Sequence, residues 1–119
     1  MKTYEDDEQA ALFAWAKSMV GIYPELEYMH HIPNGGKRSK TEAARLKMQG
    51  VKSGVSDIFL PVPKGPYHGF YIEMKVNPNK LTKDQYDWLK AMKRFGYATA
   101  VCYSWIEAKE HIEHYLELK

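Results

Sequence analysis

Length, composition and charge limit what this chain can be. Its 119 residues suffice for one domain with a single hydrophobic core, so we expect one domain over residues 1–119. The single Cys102 excludes an intramolecular disulfide. We also expect a cytoplasmic protein, because the chain shows neither a signal peptide nor an apolar run near the roughly 20 residues of a membrane span.

The net charge of +2 is unevenly distributed. Residues 1–28 carry two Lys against six Asp and Glu, whereas residues 29–54 carry six Lys and Arg against one Glu. A basic segment beside an acidic one hints at a polyanion surface next to a carboxylate site, although solvated charged loops have the same composition.

The predicted elements begin with an amphipathic helix over residues 5 to about 19. Glu5 and Glu8 lie on the flanks of its apolar stripe. They either point toward the core side or simply favour the first turn, where the helix dipole stabilises acidic side chains. A short strand is predicted at 26–32, and the turn PNGG at 33–36 ends it.

The middle of the chain alternates short elements with glycine-containing loops. Ser39 and Glu42 form a capping box that opens a short helix, TEAARLKMQ, and Gly50 ends this helix. Two strands, 55–60 and 69–76, are joined by a proline-rich loop and form a β-hairpin with a wide connection.

Two further helices flank a last strand. Capping boxes open them at Thr82 with Gln85 and at Ser104 with Glu107, and YATAVCY between them is a core strand. The order is therefore α-β-α-β-β-α-β-α, an α/β fold. The inward residues predicted for the two helices are Trp88, Leu89, Met92 and Phe95, followed by Ala108, Ile112, Tyr115 and Leu116.

Charged side chains occur on both hairpin strands, where core strands normally carry none. Side chains alternate between the faces of a strand, so Glu73 and Lys75 share one face of FYIEMKV. Antiparallel pairing would bring Asp57 opposite or diagonal to Glu73. Burying such groups singly costs several kcal/mol, so they should be paired or bound to an ion.

Three interpretations account for these charges. The ordinary one is a salt-bridged solvent face, because E-x-K pairs often arise by chance. The second is a general acid and base pair of carboxylates, as in glycoside hydrolysis. The third is a divalent-metal site, since Mg²⁺ prefers carboxylate, water and phosphate oxygens, with a lysine that orients the attacking water.

Basic residues leading into Asp57 favour the metal site. Phosphate contacts need cations, and Gly50 and Gly54 would let the backbone approach a ligand closely. The basic residues of this segment are Lys37, Arg38, Lys40, Arg45, Lys47 and Lys52.

The ordered motifs HxPNGG, RS, LKxQGVxxGVxDIFLP, YHGFYIEMK and LTxxQ resemble the VRR-NUC family of the PD-(D/E)XK nuclease superfamily. The resemblance extends from EDDEQAALFAWA to the last strand. It implies a restriction-endonuclease-like fold, a mixed β-sheet flanked by helices with the acidic residues on a central hairpin. Ser56 stands where the family commonly has proline, and because serine adopts the same extended backbone we expect an intact site.

The resemblance also implies roles for individual residues. Asp57, Glu73 and the backbone carbonyl of Met74 would bind Mg²⁺ or Mn²⁺, and Lys75 would serve the nucleophilic water. Gln85 would support the site from the next helix, although its place in a capping box explains it as well. The family's helix-borne acid corresponds to either Glu5 or Glu8.

Four of the five histidines form two groups. His30 and His31 face opposite sides of a strand and do not enter one metal site easily, so DNA contact by His31 is more plausible. His111 and His114 would bind zinc only with partners that the sequence does not identify, and solvated helix histidines are favoured. Cys102, in an apolar strand, is interpreted as a core residue. The predicted DNA-binding residues are His31, Asn34, Lys37, Arg38, Lys40 and Lys52.

The resemblance therefore predicts a metal-dependent DNA endonuclease. Small VRR-NUC domains resemble Holliday-junction resolvases, which act as homodimers in DNA repair and recombination, whereas larger members cut flaps. A homodimer that cuts four-way junctions, cytoplasmic or associated with the nucleoid, is the preferred form. The alternatives are a non-catalytic nucleic-acid-binding module on the same fold and a flap or restriction-type nuclease.

Overall fold

A computed structural model describes residues 4–33 and 38–119. In the described part the element order is the predicted α-β-α-β-β-α-β-α, with one added 3₁₀ helix (Pro24–Tyr28). The helices are α1 (Tyr4–Ser18), α2 (Lys40–Met48), α3 (Lys83–Arg94) and α4 (Trp105–Leu116). The strands are β1 (His30–His31), β2 (Ile58–Leu60), β3 (Phe70–Met74) and β4 (Ala98–Cys102).

The strands form one mixed sheet in the order β1-β2-β3-β4. β1 pairs antiparallel with β2, β2 antiparallel with β3, and β3 parallel with β4. The antiparallel pair β2 and β3 confirms the predicted hairpin, and the connection through α3 allows β4 to run parallel to β3. The hairpin therefore lies in the middle of the sheet.

The core lies between one face of the sheet and the helices α1 and α4. Phe70, Ile72 and Met74 alternate along β3 toward this side and are buried, each fully buried side chain contributing about 1.5–3 kcal/mol. Alternation sends Tyr71 and Glu73 to the opposite face, where the Tyr71 ring meets Trp88 of α3 edge-on at 5.8 Å. The buried residues of α1 and α4 include the four predicted on α4, and they are Leu12, Ala16, Ala108, Ile112, Tyr115 and Leu116.

Two predicted details are wrong. Residues 24–28 form a 3₁₀ helix instead of residues 26–28 entering the strand predicted at 26–32, and Pro24, whose ring fixes a helical φ, begins this helix. Phe95 is 57% exposed instead of facing the core. It caps the end of α3, with the Arg94 guanidinium 5.1 Å from the ring centroid. None of the described helices is both long and apolar enough to span a bilayer.

Gly54 marks a close approach between the loop before β2 and the first turn of α3. Its φ is +87°, and a Cβ at this position would collide with the carbonyl group of Asp84. Only glycine tolerates both the left-handed conformation and the contact. The glycine therefore sets the distance between the hairpin and α3, the helix that carries Gln85.

We expect Gly54→Ala to lower the free energy of unfolding by more than about 2 kcal/mol, because the left-handed conformation alone costs about 1–2 kcal/mol and α3 must also move. Urea denaturation measures the loss. Gly50→Ala is the matched control, since Gly50 has φ +101° but nothing lies within 4 Å of an added Cβ. Equal losses in the two variants would contradict the role of the contact.

Candidate active site

Three carboxylates converge at one end of the hairpin. The β2–β3 register pairs Ile58 with Ile72, so one step further along Asp57 faces Glu73. α1 brings Glu5 to the same place, and oxygens of Glu5, Asp57 and Glu73 lie within 4.8 Å of one another. Glu5 is therefore the one of the two candidate N-terminal glutamates that joins this cluster.

The backbone at the end of the hairpin fixes two of the charged side chains. The Met74 N–H donates a hydrogen bond of 2.9 Å to Asp57 Oδ2, which ties the aspartate to the end of β3. One residue later, the Lys75 N–H donates to the Cys102 carbonyl oxygen at 2.9 Å. Lys75 thus leaves β3 with its backbone held by β4, and its residue is only 8% exposed.

Glu73 is the most constrained of the carboxylates. It is 1% exposed, and its Oε1 accepts no hydrogen bond from any residue that the structure describes. Burial, reinforced by the neighbouring Asp57, raises the pKa of Glu73 to about 9 against the opposing effect of Lys75. Without a cation the side chain is therefore protonated at neutral pH.

The pKa of Glu5 is raised as well. Burial and the charge of Asp57 raise the pKa of Glu5, and the charge of Lys75 opposes them. The cluster therefore holds more negative charge than the single ammonium compensates. A divalent cation bound among these oxygens would relieve the repulsion, and carboxyl groups with pKa values perturbed in this way commonly mark functional sites.

Gln85 contacts both the first turn of α3 and the carboxylate cluster. Its Oε1 accepts from the Thr82 N–H at 3.0 Å, and its own N–H donates to Thr82 Oγ1 at 3.2 Å, which completes the capping box of α3. Its Nε2 lies 3.4 Å from Glu73 Oε2, at the long end of hydrogen-bond distances. The cap therefore aims the amide at the buried carboxyl group.

The substitution Gln85→Glu distinguishes the capping contact from the contact with Glu73. A glutamate keeps the oxygen that caps α3 but replaces the Nε2 donor with a negative charge beside Glu73. We expect the thermal midpoint to stay within about 3 °C, while the DNA cleavage that the sequence predicts falls about tenfold or more. Gln85→Ala, which removes both contacts, is the comparison variant and should lower the thermal midpoint as well. Unchanged cleavage in Gln85→Glu would show that the contact with Glu73 has no role in the reaction.

The carboxylates open into a cleft of about 250 Å³ lined also by the loop 53–55 and by Thr82. A second cleft, of about 300 Å³, is lined by Arg38, Lys47 and Lys52. Ser53 lines both clefts, so the basic surface adjoins the carboxylate site. This juxtaposition suits an anionic polymer that reaches the carboxylates across the basic surface.

The predicted DNA-binding residues are not all in one place. Arg38 and Lys52 line the basic cleft, and Lys40 is exposed at the start of α2. His31 is exposed, and its Nδ1 lies 2.8 Å from the backbone carbonyl oxygen of Asp57. Two of the predicted residues, Asn34 and Lys37, lie outside the described residues.

Two polar residues of the basic cleft, Lys47 and Ser53, are absent from the predicted DNA-binding residues, although Lys47 belongs to the basic segment that the sequence indicates for phosphate contacts. Lys47 lies one turn after Ala43 on α2 and lines the basic cleft with it, so helical spacing from the Ser39 cap would have identified this face. Ser53 has no such signal, because an isolated loop serine is common. Ser56 is fully buried, with no hydrogen-bond partner for Oγ among the described residues.

Comparison with known families agrees with this geometry. Residues 5–105 match the family described as "VRR-NUC domain". The chain belongs to the VRR-NUC family. A solved structure described as a "VRR_NUC domain protein" is similar over 99% of this chain and 92% of that chain, with a TM-score of 0.84 and 28% sequence identity. No curated protein gives a significant match.

Membership of the VRR-NUC family confirms the recognition made from the motifs. The mixed four-stranded sheet flanked by helices, together with the similar solved structure, confirms a restriction-endonuclease-like fold. The chain is thus a member of a nuclease family, a class of proteins that bind nucleic acid.

Proposed function

We propose that this VRR-NUC protein is a divalent-metal-dependent DNA endonuclease with its active site at Glu5, Asp57, Glu73 and Lys75. The observation that carries the proposal is the desolvated Glu73, which faces Asp57 and Glu5 and is followed on the same face by the buried Lys75. A merely solvated charged strand face would not bury these groups. The same observation disfavours the binding module without catalysis, which has no need for a costly buried charge cluster.

The residues present fit Mg²⁺ or Mn²⁺. Their donors are carboxylate oxygens, which hard cations prefer, and Glu73 Oε1 has no competing hydrogen bond from the described residues. Asp57, Glu73 and the Met74 carbonyl would hold the cation, with Glu5 beside them. When bound, such a cation polarises a phosphate oxygen and lowers the pKa of the attacking water.

Side chains of the protein would orient the attacking water, the metal ligand and the DNA. Lys75 would donate a hydrogen bond that orients the attacking water and would offset the negative charge that develops on the phosphate. Gln85 would keep Glu73 in its orientation. The DNA backbone would be held by the side chains of His31, Asn34, Lys37, Arg38, Lys40 and Lys52, which position the substrate without reading its sequence.

The proposed substrate is a four-way DNA junction, cut by a homodimer. Two symmetric incisions need two active sites, which a two-fold dimer supplies. The resemblance of small VRR-NUC domains to junction resolvases supports this choice.

Cleavage of labelled DNA tests the proposal. A four-way junction, a flap and a linear duplex of matched sequence are incubated with Mg²⁺, with Mn²⁺ and with EDTA. We expect paired, metal-dependent nicks confined to the junction, from a protein that sedimentation shows to be dimeric. Cutting of flaps or duplex would agree with metal-dependent cleavage but contradict the four-way junction as the substrate. Binding without cleavage in either metal would favour the non-catalytic module.

A further inference from the structure

A second group of metal-ligating side chains lies across the sheet from the carboxylate cluster. Cys102 Sγ, a Glu107 carboxylate oxygen and a His111 ring nitrogen lie within 4.8 Å of one another. Cys102 pairs with Met74 on the neighbouring strand and is buried with it in the core, whereas Glu73 alternates to the opposite face. This group is therefore separate from the site proposed above.

The local sequence explains why the three side chains meet. Cys102 ends β4 and a two-residue connection leads into α4, which packs back against the sheet. Ser104 Oγ accepts from the Glu107 N–H at 3.1 Å and so fixes the first turn of that helix. Glu107 and His111, four positions apart, project from the same side of α4 toward the end of β4.

We propose that Cys102, Glu107 and His111 form a binding site for a borderline-soft divalent cation of the Zn²⁺ type that fastens α4 to the end of β4. Sulfur, nitrogen and carboxylate oxygen are the donors that zinc uses, and three protein ligands leave a fourth position for water. Hard cations such as Mg²⁺ prefer oxygen donors alone. The two sites of the protein thus select different metals.

The geometry needs only a small adjustment to close around a cation. Tetrahedral ligands of zinc lie about 3.5 Å apart, so donors that lie within 4.8 Å of one another need to approach by no more than roughly 1 Å. His111 is exposed, and its side chain can rotate to make this approach while Cys102 stays in the core. Binding exchanges the Cys102 thiol proton for the cation, and the proton is released to solvent.

Without a cation the Cys102 thiol keeps its proton, which a cation must displace. Burial, together with the nearby charge of Glu107, raises the pKa of the Cys102 thiol to about 12. The thiol is therefore neutral and unreactive until a cation replaces its proton. Cys102 is also the only cysteine of the chain, so any sulfur-to-metal signal reports this site alone.

Titration with Co²⁺, a spectroscopic substitute for Zn²⁺, tests the proposal in the full chain with a phosphine reductant. We expect a thiolate-to-cobalt charge-transfer band in the near ultraviolet that saturates at one equivalent and disappears on adding Zn²⁺. Glu73→Gln should leave the band intact, because the carboxylate cluster contributes no sulfur. Absence of a sulfur-to-cobalt band would overturn the proposal.

Variants on α4 identify the ligands. His111→Ala and Glu107→Gln should each weaken Co²⁺ binding about tenfold or more, and the exposure of His111 makes its replacement harmless to folding. His114→Ala is the matched control, because His114 is also exposed on α4 but lies outside the group. If His111→Ala and His114→Ala bind Co²⁺ with the same affinity, the three-ligand site is overturned. Cleavage is not measured, so this result is independent of the proposed nuclease activity.

Discussion

Glu73→Gln will lower DNA cleavage by about 10³-fold or more while leaving the metal-free protein at least as stable as the wild type at neutral pH. Glutamine keeps the size of the side chain but removes the anionic oxygen that would bind the cation, and the cation's contribution is worth several kcal/mol at about 1.4 kcal/mol per tenfold. Stability is retained because Glu73, which is 1% exposed, must take up a proton on folding at neutral pH, whereas the neutral amide of glutamine need not. Single-turnover cleavage and urea denaturation in EDTA measure the two effects.

The same variant has a defined pH dependence. The pKa of Glu73 is raised from 4.5 to about 9 in the folded protein, so the folded state binds more protons than the unfolded state between these values. The Glu73 contribution to stability is therefore fully present below pH 4.5 and is lost as pH rises toward 9.

Glu73→Gln should remove this dependence, so its stability relative to the wild type should increase with pH by an amount on the order of a few kcal/mol. Urea denaturation in EDTA across the pH range gives the difference curve. A curve that stays flat would contradict the burial of an ionisable Glu73 in the metal-free protein. A curve of the opposite slope would mean that the carboxylate is stabilised in the fold.

Lys75→Met will reduce the cleavage rate by about 10²–10⁴-fold and leave the affinity for Mn²⁺ unchanged or higher. Methionine retains the buried apolar stem but cannot donate to the attacking water. It also removes the positive charge that lowers the pKa values of Glu5 and Glu73. The carboxylate cluster then lacks its compensating ammonium, so its electrostatic attraction for a divalent cation is stronger. The cleavage rate should therefore fall in Lys75→Met without a loss of Mn²⁺ affinity.

Single-turnover cleavage at saturating Mn²⁺ and calorimetric titration of Mn²⁺ measure the rate and the affinity for Lys75→Met. Lys83→Met is the control, since it removes a lysine whose side chain is 87% exposed and paired with Asp87 outside the carboxylate cleft. It should cleave as the wild type does. A loss of Mn²⁺ affinity in Lys75→Met as large as that in Glu73→Gln would contradict the division of roles.

Local patterns were sufficient to predict much of the fold. The period-two alternation of FYIEM predicts that Glu73 lies on the face opposite Phe70, Ile72 and Met74, because successive side chains of a strand point to opposite faces of the sheet. The Thr82 cap is likewise a contact within four residues, and it lies where the sequence indicates. Such features depend on neighbours in the chain and hardly at all on tertiary packing.

Features that depend on packing were not predictable. Glu5 and Glu8 both flank the apolar stripe of α1, and only the way α1 sits against the hairpin brings Glu5 to Asp57. Cys102 and His111 come close together only because α4 packs back against the end of β4. In the sequence, Cys102 looks like a core strand residue and His111 like a solvated helix residue, so neither indicates a shared site. Phe95 has an apolar spacing typical of the core, but it falls at the helix terminus and remains exposed.

The most direct test of the central claim is calorimetric titration of Mn²⁺ into the wild-type protein and into Glu73→Gln at the same pH. We expect the wild type to bind Mn²⁺ at the carboxylate cluster and Glu73→Gln to bind it at least about 10²-fold more weakly, since the variant lacks the anionic oxygen of the buried ligand. Equal affinities would contradict the assignment of Glu5, Asp57 and Glu73 as the metal site of this nuclease-family protein.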